Sequence, residues 1–316
     1  MNRRAGKTLA TGKTHARGPS SRTLVRREPS AGLILFRQRL VVIGPSAINL
    51  ELESIADTLD VLHALTFPLP LSSIPERHHN LVSRLAGAGA VHLTGGREHP
   101  ETATITDTRR RAGSRPVCSR LVVAATGAVQ SFALPKLLYS SFMPFARVVD
   151  VILTSSAQRF VTHHSIEAMG ARVWTDPFDT HVAPVPHMEL AKSDLMVVYP
   201  ASAATLHRLA CGAASDLLSL VAAATAGPVL VVPAMNGQMW SHPPIQRNVR
   251  QLVDAGFYVA VPSLMQEVSA GVGAPPIFGG AGLGAHNLQD AMIAVIDEHA
   301  RQRSNRADKP ARSGTR

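Results

Sequence analysis

From residue 120 onward, short apolar runs alternate with longer amphipathic segments, and this alternation limits the possible fold more than any other feature. The apolar runs predict strands near residues 120–125, 148–154, 194–199, 228–233 and 257–261. The segments between and after them predict helices near 130–142, 155–168, 202–211, 213–225, 243–255 and 287–303. Continuous apolar strands separated by helices are typical of a parallel sheet covered on both faces. The sequence therefore predicts an α/β fold with a doubly wound parallel sheet.

Small and hydroxyl-bearing residues follow the first two strands, where an open α/β fold builds its binding site. The turn Thr126-Gly127-Ala128-Val129 lies between the first strand and its helix. A glycine there lets backbone N–H groups approach a phosphate at a helix N-terminus. The turn lacks the three-glycine dinucleotide fingerprint and the lysine of a P-loop, which favours a mononucleotide. Thr154-Ser155-Ser156 bring hydroxyls to the same edge, or alternatively cap the next helix.

An asparagine follows the apolar run that ends at Val232, in the segment Pro233-Ala-Met-Asn-Gly-Gln-Met-Trp240. This order delivers the amide of Asn236 to the carboxyl edge of the sheet, with Met239 and Trp240 beside it. Such an amide can anchor a carboxylate or an amide of a ligand in an otherwise dry pocket. A plain helix N-cap is an equally good interpretation of Asn236 taken alone.

Four segments, in this order along the chain, carry a resemblance to a known family. They are the Thr126-Gly127 turn, His187 before Ala191-Lys192, the run Pro200-Ala-Ser-Ala-Ala-Thr205, and the segment from Pro233 to Trp240. Together they resemble the homo-oligomeric flavin-containing cysteine decarboxylases. That family includes phosphopantothenoylcysteine decarboxylase and the peptidyl-cysteine decarboxylases of lanthipeptide- and linaridin-type pathways. The resemblance covers roughly residues 120–299 and implies a flavodoxin- or Rossmann-like flavoprotein with FMN as its cofactor.

The resemblance also implies roles for individual residues. His187 is expected to be the catalytic base, since a histidine can take up a proton near neutral pH. Asn236 is expected to act in catalysis and, with Met239 and Trp240, in substrate binding. Ala204 stands where the family has an asparagine, which removes an amide that could contact the flavin or the adjoining subunit. The expected FMN contacts are Gly127, Ala128, Val129, Thr154, Ser156, Phe160, Pro200, Ala201, Ser202, Ala203, Thr205 and Met235.

The implied reaction is the oxidative decarboxylation of a cysteine. FMN accepts a hydride from the carbon that bears sulfur, His187 takes a proton, and Asn236 holds the carboxylate that leaves as CO2. Phosphopantothenoylcysteine decarboxylase carries a flap cysteine that returns electrons to the intermediate. The comparable stretch here, Val268 to Gly273, has no cysteine, and neither has any other part of 263–286. This favours the peptidyl branch, in which the C-terminal cysteine of a precursor peptide becomes the aminoenethiol of an aminovinylcysteine ring.

Three alternatives stay open. One is a phosphopantothenoylcysteine decarboxylase of coenzyme A biosynthesis that lacks the flap thiol, although no synthetase segment follows residue 300. The second is a non-catalytic, FMN-binding regulatory subunit, which the replacement at Ala204 and the altered flap favour. The third is a flavin prenyltransferase, which shares the fold but is disfavoured by His187 and by the segment around Asn236.

The chain is expected to divide into five parts. Residues 1–30 and 301–316 are predicted to be basic tails, and 97–119 a linker before the flavoprotein decarboxylase domain at 120–300. Residues 31–96 suggest a small winged-helix-like module, with β-type runs at 32–38, 40–43 and 90–93 and helical spacing at 50–65 and 80–88. This order is loosely similar to leader-peptide recognition domains, which add an extended peptide to a sheet edge. A domain for oligomer contacts is the equal alternative.

The charge distribution and apolar content bound the partners and the compartment. The formal net charge is +10, and eight Lys/Arg lie in residues 1–30 and six in 301–316, each with one acidic residue. These polar ends predict solvated tails and disfavour nucleic-acid binding. No apolar run is long enough to span a bilayer, and the N-terminus lacks the apolar core of a secretory signal. A cytoplasmic homotrimer or homododecamer is expected, with other peptide-modifying enzymes as further partners and a mobile flap at 263–286.

Overall fold

The computed structural model describes residues 23–28, 31–43, 47–65, 68–94, 104–106, 116–178, 183–265, 277–280, 282–285 and 287–307. The strands are β1 (Leu24–Arg27), β2 (Gly32–Phe36), β3 (Arg39–Ile43), β4 (Ala47–Glu51), β5 (Leu69–Pro70), β6 (Val91–Thr94), β7 (Thr104–Thr106), β8 (Cys118–Ala125), β9 (Ala146–Leu153), β10 (Arg172–Trp174), β11 (Leu195–Ala201), β12 (Val229–Pro233), β13 (Tyr258–Ala260), β14 (Ser263–Met265) and β15 (Ile277–Gly280). The α-helices are α1 (Ile55–Ala64), α2 (His79–Gly87), α3 (Leu134–Leu137), α4 (Met143–Phe145), α5 (His163–Glu167), α6 (Pro186–Leu190), α7 (Ala203–Ala210), α8 (Leu217–Ala224), α9 (Gly237–Ser241), α10 (Pro243–Ala255) and α11 (Leu288–Ala307).

A ten-stranded sheet organises the chain, in the order β10-β9-β8-β11-β12-β13-β2-β3-β4-β7. The first six strands are mutually parallel, and their order is that of a dinucleotide-binding-type doubly wound sheet. The order reverses between β8 and β11. In folds of this kind, ligands bind outside the carboxyl ends of the strands at that switch point. The predicted α/β fold with a doubly wound parallel sheet is confirmed.

Alternation along the central strands builds an apolar core on each face of the sheet. Val122 and Ala124 of β8 face a cluster that includes residues of α1, α2, α7, α8 and α10. Leu121 and Val123 face the opposite cluster, which contains residues of α3, α5 and α11. Strands buried on both faces read as continuous apolar runs. This is why the five strands of the flavoprotein region could be located from the sequence.

The N-terminal strands join the same sheet. β2 pairs antiparallel with β13, with Leu35 opposite Val259 and Ile34 opposite Ala260. The meander β2-β3-β4 continues outward from there. The predicted order of strands and helices in residues 31–96 is found, with β4 and β5 as additional strands. The flavoprotein sheet therefore continues into β2, β3 and β4 of the predicted module, whereas β5 and β6 of the module belong to a separate sheet. The division into domains stays a prediction.

Part of the predicted N-terminal tail is structured, which corrects the prediction for residues 24–27. β1 lies between β5 and β6 in a three-stranded antiparallel sheet. Val25 and Arg27 are buried while Leu24 and Arg26 face outward. Burial lowers the pKa of Arg27 to about 10, and its Nη1 donates to the Pro262 carbonyl at 2.6 Å. The basic composition concealed a strand because only alternate side chains of β1 are buried.

Two predicted helices are interrupted. The segment predicted at 130–142 is a 3₁₀ turn at Val129–Ala133, then α3, then a π turn at Leu138–Phe142. The segment predicted at 155–168 contains a 3₁₀ turn at Ala157–Arg159 and the short helix α5. In the first segment, Pro135 lacks the N–H that a continuous helix would use. The predicted linker contributes the short strand β7, which pairs with β4.

The two ends of the predicted flap pair with each other as the antiparallel strands β14 and β15. β15 lies against α9, the helix that follows Asn236. The residues that distinguish the two family branches, 268–273, lie outside the described part of the chain, as do residues 1–22 and 308–316 of the tails. No helix among the described residues has both the length and the apolar character needed to cross a bilayer.

Candidate functional site

The loops after β8 and β11 meet at the switch point of the sheet. The hydroxyl of Thr126 donates to the Pro200 carbonyl at 2.7 Å and accepts from the Ser202 N–H at 2.9 Å. The Thr126 carbonyl in turn accepts from the Ser131 hydroxyl at 2.7 Å. Thr126 is buried, so its side chain joins these two loops and does not face a ligand. The predicted Thr-Gly turn and the predicted Pro-Ala-Ser loop form one wall.

The loop after β9 joins this wall. Thr154 donates from its backbone N–H and its hydroxyl to the Ala125 carbonyl, at 3.2 and 3.1 Å. Thr154 also accepts from the Ala157 N–H at 3.2 Å, whereas Ser156, which precedes the 3₁₀ turn at Ala157–Arg159, makes no side-chain capping bond. Gly127 lies so close to Ser156 that a Cβ built on it would be 2.6 Å from the Ser156 Cβ. Glycine is therefore required by this close approach, and no side chain larger than hydrogen fits.

Unpaired backbone N–H groups cluster where these two loops approach each other. Within the described residues, the N–H groups of Gly127, Val129, Ser155 and Ser156 have no hydrogen-bond acceptor. Ser155 and Ser156 are exposed. Consecutive backbone N–H groups in turns form concave anion sites. Of the predicted cofactor contacts, those on the 127–129 and 154–156 loops thus lie together and fit a phosphate.

The close contact at Gly127 yields a prediction. We expect Gly127→Ala to lower flavin content strongly, because the added Cβ must push the 154–156 loop away and so separate the two halves of the anion site. Ser156→Gly removes the atom that the new Cβ would meet, and the double variant should therefore regain much of the lost flavin. Flavin absorbance per protein, measured at matched thermal stability, checks this. Equal flavin content in Gly127→Ala and the wild type would contradict it.

Asn236 begins helix α9 at the end of β12. Its Oδ1 accepts from the Met239 N–H at 2.8 Å, so the side chain is an N-cap. The residue is exposed, and no acceptor for its Nδ2 is found within the described part of the chain. The two interpretations of Asn236 are compatible, because the oxygen caps the helix and leaves the NH2 group for a ligand. A bond from the Ala234 N–H to the Ala201 carbonyl, 3.0 Å, keeps this segment beside the Pro200 loop.

The apolar residues around Asn236 differ in their exposure. Met239 is 44% exposed, whereas Trp240 is 2% exposed and packs in the core. Met235 is buried as well. Tyr199, which precedes the Pro200 loop, is buried, and that burial raises the pKa of its hydroxyl to about 12. Met239 is thus the residue of this group that offers apolar surface to a ligand, and the role of Trp240 in substrate binding stays a prediction.

The remaining predicted contacts lie on the same edge. Ala201 is the last residue of β11 and is buried. Ser202 caps α7, and its hydroxyl shares a hydrogen bond of 3.0 Å with the Thr205 hydroxyl. Phe160, after the 154–156 loop, is 43% exposed. Ala203 and Ala204 open α7 without side-chain polar groups. The loop lacking the family's asparagine therefore offers backbone and small side chains only.

His187 is not brought to this edge. It lies in α6, and four residues separate the end of α6 from the start of β11. The Glu189 carbonyl of α6 is 2.9 Å from Nη1 of Arg120, near the amino end of β8. The seven residues of β11 span roughly 20 Å at about 3.3 Å per residue. Within one chain, His187 therefore lies closer to the amino ends of the strands, and Asn236 lies beyond the carboxyl ends.

The exposed apolar side chains occur at both of these places. Val185 and Met188 flank His187, at 46% and 52% exposed. Near the switch point, Phe132 is 62% exposed, and Phe160 and Met239 are exposed as well. Contiguous exposed apolar surface marks interaction sites. These side chains make both regions candidate interaction surfaces, a feature that periodicity in the sequence did not reveal.

A comparison with known families matches the Flavoprotein family over residues 111–278, more than half of the chain. The chain belongs to this family. The match spans β8 through β15 and therefore includes every loop of the switch-point site. The expectation of a flavoprotein is confirmed.

Curated relatives share this region at moderate identity. The coenzyme A biosynthesis bifunctional protein CoaBC of Mycobacterium tuberculosis strain H37Rv is 43% identical over 128 residues, 40% of this chain and 30% of the relative. The Bacillus subtilis protein of the same name is 37% identical over 118 residues, 36% of this chain and 29% of the relative. The chain thus spans about a third of the length of these relatives.

Solved structures give weaker likenesses. The FMN-dependent cysteine decarboxylase SpaF is 27% identical, with a TM-score of 0.48 over 58% of this chain and 98% of that chain. A PPC decarboxylase mutant in complex with pantothenoylaminoethenethiol is 25% identical, with a TM-score of 0.49 over 59% of this chain and all of that chain. The family assignment rests on the sequence match.

Proposed function

We propose that this protein is an FMN-dependent decarboxylase that oxidatively decarboxylates the C-terminal cysteine of a peptide to an aminoenethiol. The observation that carries the proposal is the convergence of the loops after β8, β9, β11 and β12 at one edge. There, unpaired N–H groups suited to a phosphate lie at the same edge of the sheet as an asparagine amide suited to a carboxylate. A phosphorylated cofactor and an acidic substrate group are the ligands that this pair of features fits.

FMN fits the residues present. Its phosphate would be held by the N–H groups and hydroxyls of the 127–129 and 154–156 loops, where Gly127 allows the close approach. Its ring system would lie against the Pro200–Thr205 loop and Phe160. A mononucleotide is favoured because the Thr126-Gly127-Ala128 turn lacks the further glycines that a dinucleotide pyrophosphate requires.

When bound, FMN supplies an acceptor for the hydride that leaves the carbon bearing sulfur. His187 accepts the thiol proton in the same oxidation, so the side chain of the cysteine becomes a thioaldehyde. The Asn236 Nδ2 group holds the carboxylate, which leaves as CO2 while its bonding electrons move into the C=S group. Protonation of sulfur then gives the enethiol. In total the peptide loses CO2 and two hydrogens.

Two copies of the chain would complete one site. His187 and Asn236 are at opposite ends of the parallel strands within one chain, and both lie in exposed apolar surface. Packing the His187 surface of one copy against the switch-point edge of another would cover both apolar regions and bring base and amide together. This supports a homo-oligomer, either a trimer or a dodecamer.

The peptidyl substrate is favoured over phosphopantothenoylcysteine by the sequence of the flap. No cysteine occurs in residues 263–286, so no thiol is present there to return electrons to the enethiol. The relatives named for coenzyme A biosynthesis favour the second candidate, a phosphopantothenoylcysteine decarboxylase. The two candidates differ in their electron balance, because only the peptidyl reaction leaves two electrons on the cofactor.

The N-terminal strands offer a place for the rest of a peptide. Among the described residues, the outer side of β4 is paired by β7 at residues 47–49, and no strand pairs with Leu50 and Glu51 there. Asn49 of β4 buries its Oδ1 without a donor in the described residues. An incompletely paired edge is the surface on which an extended peptide adds as a strand. We propose this edge for the upstream part of the precursor, with oligomer contact as the alternative role of the N-terminal unit.

The first experiment is the visible spectrum of the purified protein, with the released cofactor identified by mass. We expect a flavin spectrum and FMN. Under anaerobic conditions, a peptide ending in Cys should bleach the flavin and lose CO2 plus two hydrogens, whereas the same peptide ending in Ser should do neither. A longer upstream segment should lower KM if the β4 edge binds it.

The outcomes separate the candidates. Decarboxylation of phosphopantothenoylcysteine that leaves the flavin oxidised would support the coenzyme A role. FMN binding without CO2 release from either substrate would support a regulatory subunit. A colourless protein that takes up no added FMN would overturn the decarboxylase proposal.

A further inference from the structure

A buried carboxylate anchors two cations and an indole beneath the parallel sheet. Asp150 of β9 is fully buried. Its Oδ2 accepts from Arg120 Nε at 2.7 Å and from Arg172 Nη2 at 2.9 Å. Its Oδ1 accepts from Trp174 Nε1 at 2.8 Å. Buried charges persist when they are paired and hydrogen-bonded, so Asp150 fixes the direction of the Arg120 guanidinium.

The same guanidinium binds α6. Arg120 Nη1 donates to both the carbonyl and the Oε1 of Glu189, at 2.9 and 2.6 Å. Lys192 Nζ donates to the other carboxylate oxygen at 2.8 Å. Hydrogen bonds from Lys192 and Arg120 lower the pKa of Glu189 to about 2, so its carboxylate is ionised under ordinary conditions. Only 15% of the Arg120 side chain is exposed.

Helix α6 needs such an anchor. It has five residues, and isolated helices of this length are not stable in water. Its N-cap residue, Val185, makes no side-chain capping bond. Pro186 and Leu190 are its buried residues, while His187 is half-buried and Met188 is exposed. The buried side chains and the bond from the Thr225 hydroxyl to the Ala191 carbonyl, 3.2 Å, hold the two ends of α6. The bonds from Arg120 Nη1 to Glu189 hold the middle of the helix.

We propose that Arg120, held by Asp150, is a positioning residue for His187. It acts through α6, two residues away from the imidazole, and it touches neither cofactor nor substrate. The inference rests on the proposed function for the role of His187 as the base. Misplacement of a catalytic group by about 1 Å can lower a rate by about 100-fold. Loss of the hydrogen bonds from Arg120 to Glu189 should therefore lower kcat far more than it changes KM.

Arg120→Lys tests this, with Arg172→Lys as its matched control. Both variants keep the charge and weaken a bond to Asp150, but Arg172 has no recorded bond to α6 within the described chain. For Arg120→Lys we expect kcat to fall by about 10- to 100-fold, with KM and flavin content near wild-type values. For Arg172→Lys we expect kcat within about twofold of wild type.

Hydrogen–deuterium exchange supplies a readout that is independent of turnover. The Glu189 and Ala191 N–H groups donate within α6, to Val185 and His187 carbonyls, and should exchange about tenfold faster in Arg120→Lys only. Equal effects of the two substitutions on kcat and on exchange would overturn the inference. An inactive wild type would instead count against the proposed function, and the exchange comparison would still decide whether Arg120 anchors α6.

Discussion

His187→Asn is expected to abolish most turnover while leaving the flavin in place. General-base catalysis contributes typically 10²–10⁴-fold, and kcat for Cys-ending peptides should fall by about that factor. Flavin content should be unchanged, because the groups proposed to hold the phosphate lie on the 127–129 and 154–156 loops. Within one chain, His187 makes no contact with these loops among the described residues. The measurement is steady-state decarboxylation per bound flavin. A variant as active as the wild type would exclude His187 as the base, whereas a wild type that binds FMN without decarboxylating either substrate would favour the regulatory subunit.

A second variant, Asn236→Asp, tests whether His187 of one copy and Asn236 of another form one site. Asn236→Asp keeps an oxygen that can cap α9, since aspartate is a good N-cap residue. It replaces the NH2 group with a carboxylate that repels the substrate carboxylate, so it should be inactive and folded. When the two inactive variants are co-expressed, about a quarter of the sites between random copies would combine an intact His187 with an intact Asn236. Partial recovery of activity is therefore expected, and none would occur if one chain supplied both groups.

The parts of this site that could be predicted are those fixed by local sequence. β8, β9, β11, β12 and β13 are apolar on both faces, so their positions and the loops at their ends followed from composition alone. Gly127 and Asn236 follow such strands directly and were placed at the correct edge. The dual role of Asn236, as cap and as a free amide donor, needed the structure, because the sequence does not show which oxygen or nitrogen is already used.

Long-range pairing could not be predicted in the same way. Nothing in residues 32–36 indicates that β2 pairs with β13, more than 200 residues later, since pairing partners leave no local periodicity. β1 was hidden in a basic segment because only Val25 and Arg27 of its four residues face inward. The position of His187 at the opposite end of the sheet from Asn236 depends on the Arg120–Glu189 contact, which spans 69 residues of sequence.

Removal of the N-terminal residues is expected to destabilise the flavoprotein region itself. In a chain that lacks residues 1–96, β13 would become an unpaired edge beside α10, and such edges favour aggregation. The stacking of Phe36 on Tyr258, with ring centroids 4.0 Å apart, would also be lost. The ion pair between Arg39 and the buried Glu298 of α11, 2.6 Å, would also be lost. We expect an insoluble or flavin-free protein.

Point variants make this quantitative without a deletion. Phe36→Ala should lower the free energy of unfolding by about 3–5 kcal/mol, the usual effect of truncating a buried phenylalanine. Leu24→Ala, in the same N-terminal unit but 43% exposed, should change it by no more than about 0.5 kcal/mol. Release of flavin on heating reports unfolding of the switch-point site, and circular dichroism reports the whole chain.

The two signals distinguish one cooperative unit from an independent module. Because β2 and β13 share backbone hydrogen bonds and side-chain packing, Phe36→Ala should lower the midpoint of flavin release and the midpoint of the circular dichroism transition together. A separate winged-helix-like module joined by a linker would unfold first and leave flavin release at its wild-type temperature. That result would show that the N-terminal strands dock on the sheet without stabilising it, and a chain lacking residues 1–96 should then retain FMN.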